Sequence, residues 1–338
     1  MSIRMVPDTE VITIRAKELT IDDLMARYAV SNQADGKSTK TITWYTDILT
    51  QFLRYLKADG YQCKLSTFNI DIIRGYVLFL RTRPRFQGHP FIAQRQDLLS
   101  PKTVQCHVRV LKAFSTWLYE EEYTSINRLK NLKLPKATVR IMEPLTPEEI
   151  KKIVSSIDRK SYSGERNHAV LVTLLDSGLR ASEVAGIRLS NMNLGDGYIR
   201  ITGKGDKERI VPIGKFVRME LMHYIEKIRP QVNGGDNNNL FLAQGGRPMT
   251  LNTVKMIFSK LSRSSGIKRL HAHLCRHTFS INYLMNGGDI FSLREILGHT
   301  TLEMVNYYLH FTSSQITAQH HRYSPMDRIQ EKGRKGRE

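Results

Sequence analysis

The sequence predicts a mostly α-helical protein with one small β-sheet, built as a helical N-terminal domain followed by a mixed α+β domain. Three observations carry that expectation. Apolar residues recur at helical spacing through most of the 338 residues. Strand character is concentrated in two short runs, 198–202 and 208–213, joined by a turn. A basic, aperiodic stretch divides the chain, whose length suits two ordinary domains.

Residues 1–18 hold no sustained period and read as an arm. The segment 19–125 then runs in helical rhythm. Thr20-Ile21-Asp22-Asp23 opens a first helix with a capping hydroxyl and early acids. Ser38 to Asp59 carries Ile42, Tyr45, Ile48, Leu49, Phe52, Leu53 and Leu56 on one face and stops at Gly60. Ile72 to Leu80 forms a third helix. Ser100-Pro101-Lys102-Thr103 starts a fourth, with Val104, Val108, Val110, Leu111, Phe114 and Leu118 on its apolar side. Before it, Arg81-Thr82-Arg83-Pro84-Arg85 reads either as a contact for a phosphate backbone or as a solvated basic loop.

Residues 126–144, basic and without period, read as a linker. The second domain, 145–325, starts with Thr146-Pro147-Glu148-Glu149: an N-cap, a proline at the first helical position and a capping-box carboxylate. Helices follow to about Leu189, then the two strands joined by Gly203-Lys204-Gly205-Asp206-Lys207. Helices return from Lys215, interrupted by a short strand expected near Leu240 to Leu242. Residues 326–338 form a basic tail. There is no internal repeat.

Charge narrows the partners. Lys and Arg number 51 against 32 Asp and Glu, a formal net charge of +19. Such an excess repels itself unless a polyanion neutralises it, so nucleic acid, double-stranded DNA included, leads the candidates, with a ribosome-associated or merely basic protein as the alternative. The basic residues are spread along the chain, which suits a protein that wraps a duplex rather than one with an appended basic arm. Cys63, Cys106 and Cys275 lie far apart, with no C-x-x-C pair, so neither a disulfide framework nor a zinc ribbon is expected. No apolar run reaches membrane-spanning length and the N-terminus has no signal core; a soluble, cytoplasmic protein with no membrane partner is the expectation.

Breaking and rejoining a phosphodiester without a metal requires a nucleophile for phosphorus, cations for the non-bridging oxygens and an acid for the departing oxygen. The second domain holds candidates for all three. Ser177-Gly178-Leu179-Arg180-Ala181-Ser182-Glu183 places a glycine turn before an Arg-led helix, where Arg180 can grip a phosphate in bidentate fashion and Glu183 can buttress the helix start; alone, such a pair is more often an ordinary surface ion pair. Lys204, at the tip of the hairpin, is either a proton donor to a leaving hydroxyl or a solvated turn lysine. His273 and Arg276 lie one turn apart and can meet one phosphate. His273 and His277 have the i, i+4 spacing of a zinc pair, but the H-E-x-x-H glutamate is absent and no third ligand is evident, so no metal is expected. His299 follows the helix-ending Leu297-Gly298 as a phosphate donor or a simple cap. Tyr308, nine positions on, is either half-buried packing or a phenol that nearby cations make nucleophilic.

In this order, Arg in S-G-L-R-x-S-E, Lys in a G-K-G hairpin, H-x-x-R, L-G-H and then Tyr resemble the catalytic signature of the tyrosine recombinases, which include phage integrases, Xer-type recombinases and mobile-element integrases. The resemblance spans the second domain and extends in outline to residues 19–125, similar to the family's helical (SAM-like) core-binding domain. It implies that Tyr308 attacks phosphorus to form a 3′-phosphotyrosyl bond and free a 5′-hydroxyl. Arg180 and Arg276 would stabilise the pentacoordinate phosphorus, His273 would assist proton transfer, His299 would donate a hydrogen bond and Lys204 would protonate the 5′-oxygen. Neither ATP, a cofactor nor a metal would be needed, since the phosphotyrosyl link conserves the energy of the broken bond.

The family more often has Leu at position 275. Lys207 shares the turn with Lys204, and Tyr307 adjoins Tyr308; the G-K-G placement and the nine-residue spacing from His299 select Lys204 and Tyr308. The resemblance further implies a homo-tetramer on paired sites, with the segment from Ser313 to about His321 docking on a neighbouring subunit, room for accessory DNA-bending or directionality factors, and a place on the nucleoid in a bacterial cytoplasm. Two other readings compete: a type IB topoisomerase-like enzyme that relaxes DNA without exchanging partners, and a DNA-binding regulator without catalysis.

Overall fold

The computed structural model describes residues 19–84, 96–136, 142–203, 207–231 and 237–298. The chain divides into two compact units, Met1–Arg140 and Ile141–Glu338. Helices dominate both, and the second also holds a small three-stranded antiparallel sheet, which is the mostly α, small-sheet class that the sequence predicts.

Among the described residues four α-helices build the first unit: α1 (Ile21–Ala34), α2 (Thr39–Ala58), α3 (Ile70–Thr82) and α4 (Pro101–Glu120). Each starts on a side-chain cap. Thr20 and Asp23 form a reciprocal capping box, Ser38 accepts from the Thr41 amide, Asn69 from Asp71 and Ile72, and Ser100 from Thr103. Their apolar faces meet in an aromatic core in which Phe52, Phe68 and Phe114 pack edge to face. Tyr76 is fully buried within it and its hydroxyl meets His107 Nδ1 at 3.0 Å. Burial pushes the His107 imidazole down to about 4, so this pair is a neutral hydrogen bond in the core.

Residues 127–135 lie against these helices. Leu129 is fully buried, Arg128 Nη1 donates to the Leu65 and Phe68 carbonyls at 2.6 and 3.0 Å, and Lys112 Nζ donates to the Lys130 and Leu132 carbonyls at 3.0 and 2.7 Å. Basic side chains here act as clamps for a polar backbone segment that has no secondary structure of its own to satisfy it.

In the second unit, α5 (Pro147–Ser155) begins on the Thr146–Glu149 capping box, with proline in the first turn. The central element is α6 (Tyr162–Ser177), whose run Ala169–Leu174 is buried on all sides. It ends at Gly178, left-handed at φ 61°, and one short link later α7 (Ala181–Ala185) starts at Arg180. The sheet follows: β1 (Met192–Asn193), β2 (Tyr198–Thr202) and β3 (Glu208–Pro212) in that order. Ile199 pairs with Val211 and Ile201 with Arg209. Ile199, Ile201 and Val211 are buried in the core, while Arg200 and Ile210 point outward.

Helix α8 (Lys215–His223) continues through a π-turn over Tyr224–Ile228. Then come α9 (Leu251–Ser265), α10 (Ala272–Met285) and α11 (Ile290–Leu297). The expected strand near Leu240 to Leu242 does not form. Single bridges, Arg188 to Asn239 and Leu242 to Pro248, flank that segment instead. Leu240, Phe241 and Leu242 are all buried, and full burial of three consecutive residues requires no alternating strand.

Candidate phosphate-binding site

The end of α6 and the starts of α7 and α10 supply the site's backbone. At Gly178 a side chain is excluded twice over. Its φ is left-handed, and a Cβ there would stand 2.3 Å from Phe279 Cδ1 and 2.9 Å from Leu297 Cδ2. Glycine therefore lets α6 turn sharply while α10 and α11 close over the turn. Arg180 emerges from that turn in an extended conformation as the N-cap of α7.

Glu183 fixes Arg180 at two points. Its Oε2 accepts from the Arg180 amide at 2.8 Å, and its Oε1 accepts from Arg180 Nη1 at 2.8 Å. The guanidinium still reaches the surface, since 42% of the side chain is exposed, and Nη2 donates to the Gly298 carbonyl at 3.5 Å. Burial alone would push the Glu183 carboxyl up. Hydrogen bonds from Arg209 and from the Arg180 amide and side chain outweigh it, so the group is held below the ordinary carboxylate range and ionised.

Arg276 stands differently. It is 2% exposed, and its fork is spread between two carbonyls, Nη1 to Gly178 at 2.7 Å and Nη2 to Leu297 at 2.9 Å. The same residue thus ties the end of α6 to the end of α11. Neighbouring turns of α10 are fixed too: His277 Nε2 bonds the Met142 carbonyl, and Thr278 Oγ1 accepts from the Leu145 amide at 2.9 Å. The i, i+4 histidine pair is therefore divided, with His277 buried against backbone and His273 exposed.

His273 lies in the first turn of α10, after the N-cap His271, whose Nδ1 accepts from the Leu274 amide at 3.0 Å. Its imidazole is held below the ordinary value by partial desolvation and by the charges of Arg276, His271, His277 and Arg180. His273 and Arg276 stand one turn apart on α10, and Arg276 donates to the carbonyl of Gly178, two residues before Arg180. Arg180 and Arg276 also converge on the same turn, Leu297–Gly298, which immediately precedes His299 in the chain. Cationic and polar donors gathered this way, with Glu183 already neutralised by two arginines, favour an anion such as a phosphate.

Lys204, His299 and Tyr308 lie outside the described residues, as does the segment 313–321. Among the described residues no group of three or more His, Cys, Asp or Glu side chains is arranged to hold a metal ion, and no helix is long and apolar enough to cross a membrane.

Sequence reasoning passed over Arg209. From β3 its guanidinium donates to both oxygens of Glu183, at 3.1 and 2.8 Å, and to the Ile296 carbonyl at 2.8 Å. One signal was available: strand alternation places residue 209 on the face opposite the exposed Ile210 and Glu208, an inward position for a charged side chain that then requires a partner.

Comparison with known proteins is consistent with these features. Residues 143–315 match the phage integrase family. The chain is 32% identical over 228 residues to the tyrosine recombinase XerD of Staphylococcus aureus (strain Mu50 / ATCC 700699), covering 67% of this chain and 77% of that protein. It is 28% identical over 293 residues to the tyrosine recombinase XerD of Listeria monocytogenes serovar 1/2a, covering 86% of this chain and 94% of that protein. Its fold is similar to that of the Tn1549 transposon integrase in complex with transposon right end DNA, with a TM-score of 0.71, 22% identity, and coverage of 90% of this chain and 100% of that one. It is also similar to XerH site-specific recombinase bound to a palindromic difH substrate, with a TM-score of 0.66, 19% identity, and coverage of 93% and 94%.

Proposed function

The chain belongs to the phage integrase family, and from that premise we propose that it is a site-specific DNA recombinase that cleaves and rejoins duplex DNA through a 3′-phosphotyrosyl link to Tyr308. The observation that carries this reading is the convergence of Arg180 and Arg276 on the turn leading to His299, with His273 one helical turn before Arg276 on α10. In this account Arg180 and Arg276 hold the non-bridging oxygens and offset the charge that builds on phosphorus. His273, whose pKa is lowered in the free protein by partial desolvation and neighbouring charges, accepts a proton as the phenol of Tyr308 attacks. Lys204 protonates the departing 5′-oxygen and His299 donates to the phosphate. Religation by the 5′-hydroxyl of a partner strand reverses the same steps, so the link to Tyr308 is exchanged for a new phosphodiester without ATP or a metal.

The rest of the assembly follows the same reading. Residues 19–125 form a core-binding domain and residues 145–325 the catalytic domain, together clamping a duplex whose phosphates neutralise the +19 charge. Four copies act on paired sites, with the segment from Ser313 to about His321 docking on a neighbour, and the DNA moved is a phage, transposon or other mobile element. Incubation with a nicked suicide duplex tests the catalytic core of the proposal: wild type forms an SDS-resistant protein–DNA adduct and Tyr308→Phe forms none. A two-site exchange assay then separates recombination from relaxation, and removal of residues 312–338 is expected to abolish exchange and subunit assembly.

A further inference from the structure

The segments assigned to catalysis are joined by a residue that belongs to none of their motifs. We infer that Arg209 is a positioning residue, which sets the reach of Arg180 and the placement of the Ile296–Gly298 turn before His299. The inference rests on the recombinase reading given above.

Arg209 stands on β3, opposite Ile201, and its side chain is only 11% exposed. All three guanidinium nitrogens are committed. Nη1 and Nη2 donate to Glu183 Oε1 and Oε2 at 3.1 and 2.8 Å, and Nε donates to the Ile296 carbonyl at 2.8 Å. Glu183, 9% exposed, passes the constraint on through its two bonds to Arg180, each 2.8 Å. Arg180 Nη2 and the Gly298 carbonyl, 3.5 Å apart, close the circuit. One planar fork therefore couples the strand that follows the Lys204 hairpin, the start of α7 and the end of α11.

Gly298 completes the fit. Its φ is +63°, and a Cβ there would meet Arg209 Cδ, Nε and Cζ at 3.0, 3.1 and 3.2 Å. The guanidinium thus packs closely over this turn, where the left-handed backbone favours glycine and a Cβ would press on Arg209. Its three bonds aim the guanidinium at Glu183 and the Ile296 carbonyl, and with only 11% of the side chain exposed Arg209 acts through these partners and not by touching phosphate. Without it, Arg180 is the one charged partner left to this nearly buried carboxylate among the described residues. Glu183 then draws the Arg180 guanidinium toward itself and away from the anion. Lysine can neutralise Glu183 from position 209, yet it cannot also span the distance to the Ile296 carbonyl in the same plane.

The test uses the full chain, a nicked suicide duplex and single-turnover cleavage at saturating protein, with DNA affinity measured on the same preparations. Arg209→Gln is expected to cleave about 100-fold more slowly while its half-saturating concentration moves by less than about threefold. Arg209→Lys is expected to recover part of that rate. In a Glu183→Gln background, adding Arg209→Gln is expected to slow cleavage by clearly less than the roughly 100-fold it costs in wild type, because the two changes share the Glu183 linkage while the Ile296 bond is lost only with Arg209. A wild-type rate in Arg209→Gln, equal losses of rate and affinity, or full additivity in the double variant would overturn the assignment. If melting curves show that Arg209→Gln does not fold, Arg209→Lys decides: a wild-type rate in that variant overturns the assignment, and a slowed rate at unchanged affinity supports it. A wild-type chain that forms no adduct fails the recombinase reading itself and removes this inference with it.

Discussion

Arg276 Nη1 donates to the carbonyl of Gly178 across 2.7 Å, joining two residues 98 positions apart in the chain. The bond depends on both partners being what they are. Only a guanidinium can reach Gly178 and Leu297 together, and only glycine can turn at position 178 with Phe279 so close. Gly178→Ala is therefore expected to destabilise the second unit by about 2–4 kcal/mol, from the left-handed backbone and the displaced ring together. Chemical denaturation of the full chain measures it, and a loss under about 0.5 kcal/mol would show that the turn is looser than described.

Arg276→Lys keeps the charge and loses the fork. Lysine offers a point charge where two carbonyls 2.7 and 2.9 Å away need separate donors. We expect single-turnover cleavage to fall by about 100- to 1,000-fold, the range seen when one preorganised donor is removed from a site of developing negative charge. DNA affinity, spread over many phosphates, is expected to change far less. A gel-shift titration beside the cleavage assay checks the split.

The His273 imidazole is expected to titrate below 6.5 in the free protein, because partial desolvation and the charges of Arg276, His271, His277 and Arg180 disfavour its protonated form. A bound phosphate supplies the opposite charge and favours protonation, so the midpoint is expected to rise in the DNA complex. Histidine resonances followed by NMR with and without a duplex site give both values. A midpoint that stays put on binding would place His273 away from the phosphate.

Glu183 gives a pH dependence of the other sign. Its folded-state pKa is depressed, so the stability it contributes is present above the unfolded value and is lost as pH falls through the folded value. Acid denaturation of wild type beside Glu183→Gln is expected to show a flatter pH dependence in the variant. Equal slopes would mean that the carboxylate is not held by its two arginines in solution.

Much of this fold is legible in local sequence, because caps and glycine turns act over three or four residues. Thr146-Pro147-Glu148-Glu149 announces α5, and Gly178 and Gly298 announce the ends of α6 and α11. The strands 198–202 and 208–212 show in their alternation. The same local logic misreads Leu240 to Leu242, where full burial by neighbouring helices suits β-forming side chains without any ladder. It is also silent on Leu129, whose burial depends on a groove built by residues far away in the chain. Arg180, His273 and Arg276 can be named from their motifs. Their support cannot, since Glu183 and Arg209 meet over 26 positions and Arg209 and Ile296 over 87.

The excess of basic residues gives binding a strong salt dependence. If the duplex contact engages six or more phosphates, affinity is expected to fall by about 10³-fold or more between about 50 and 200 mM salt, linearly in the logarithm of both quantities. Fluorescence anisotropy across that range measures the slope, and a shallow one would mean that the charge serves another purpose.

The most direct measurement is peptide mapping of the covalent adduct trapped on a nicked suicide duplex, combined with analysis of the released DNA end. The account predicts a nucleotide attached to the peptide carrying Tyr308 through a 3′-phosphate, a free 5′-hydroxyl on the departing strand, and no adduct from Tyr308→Phe. Attachment at Tyr307 or any other side chain, a 5′-phosphate linkage, or an adduct that persists in Tyr308→Phe would contradict it.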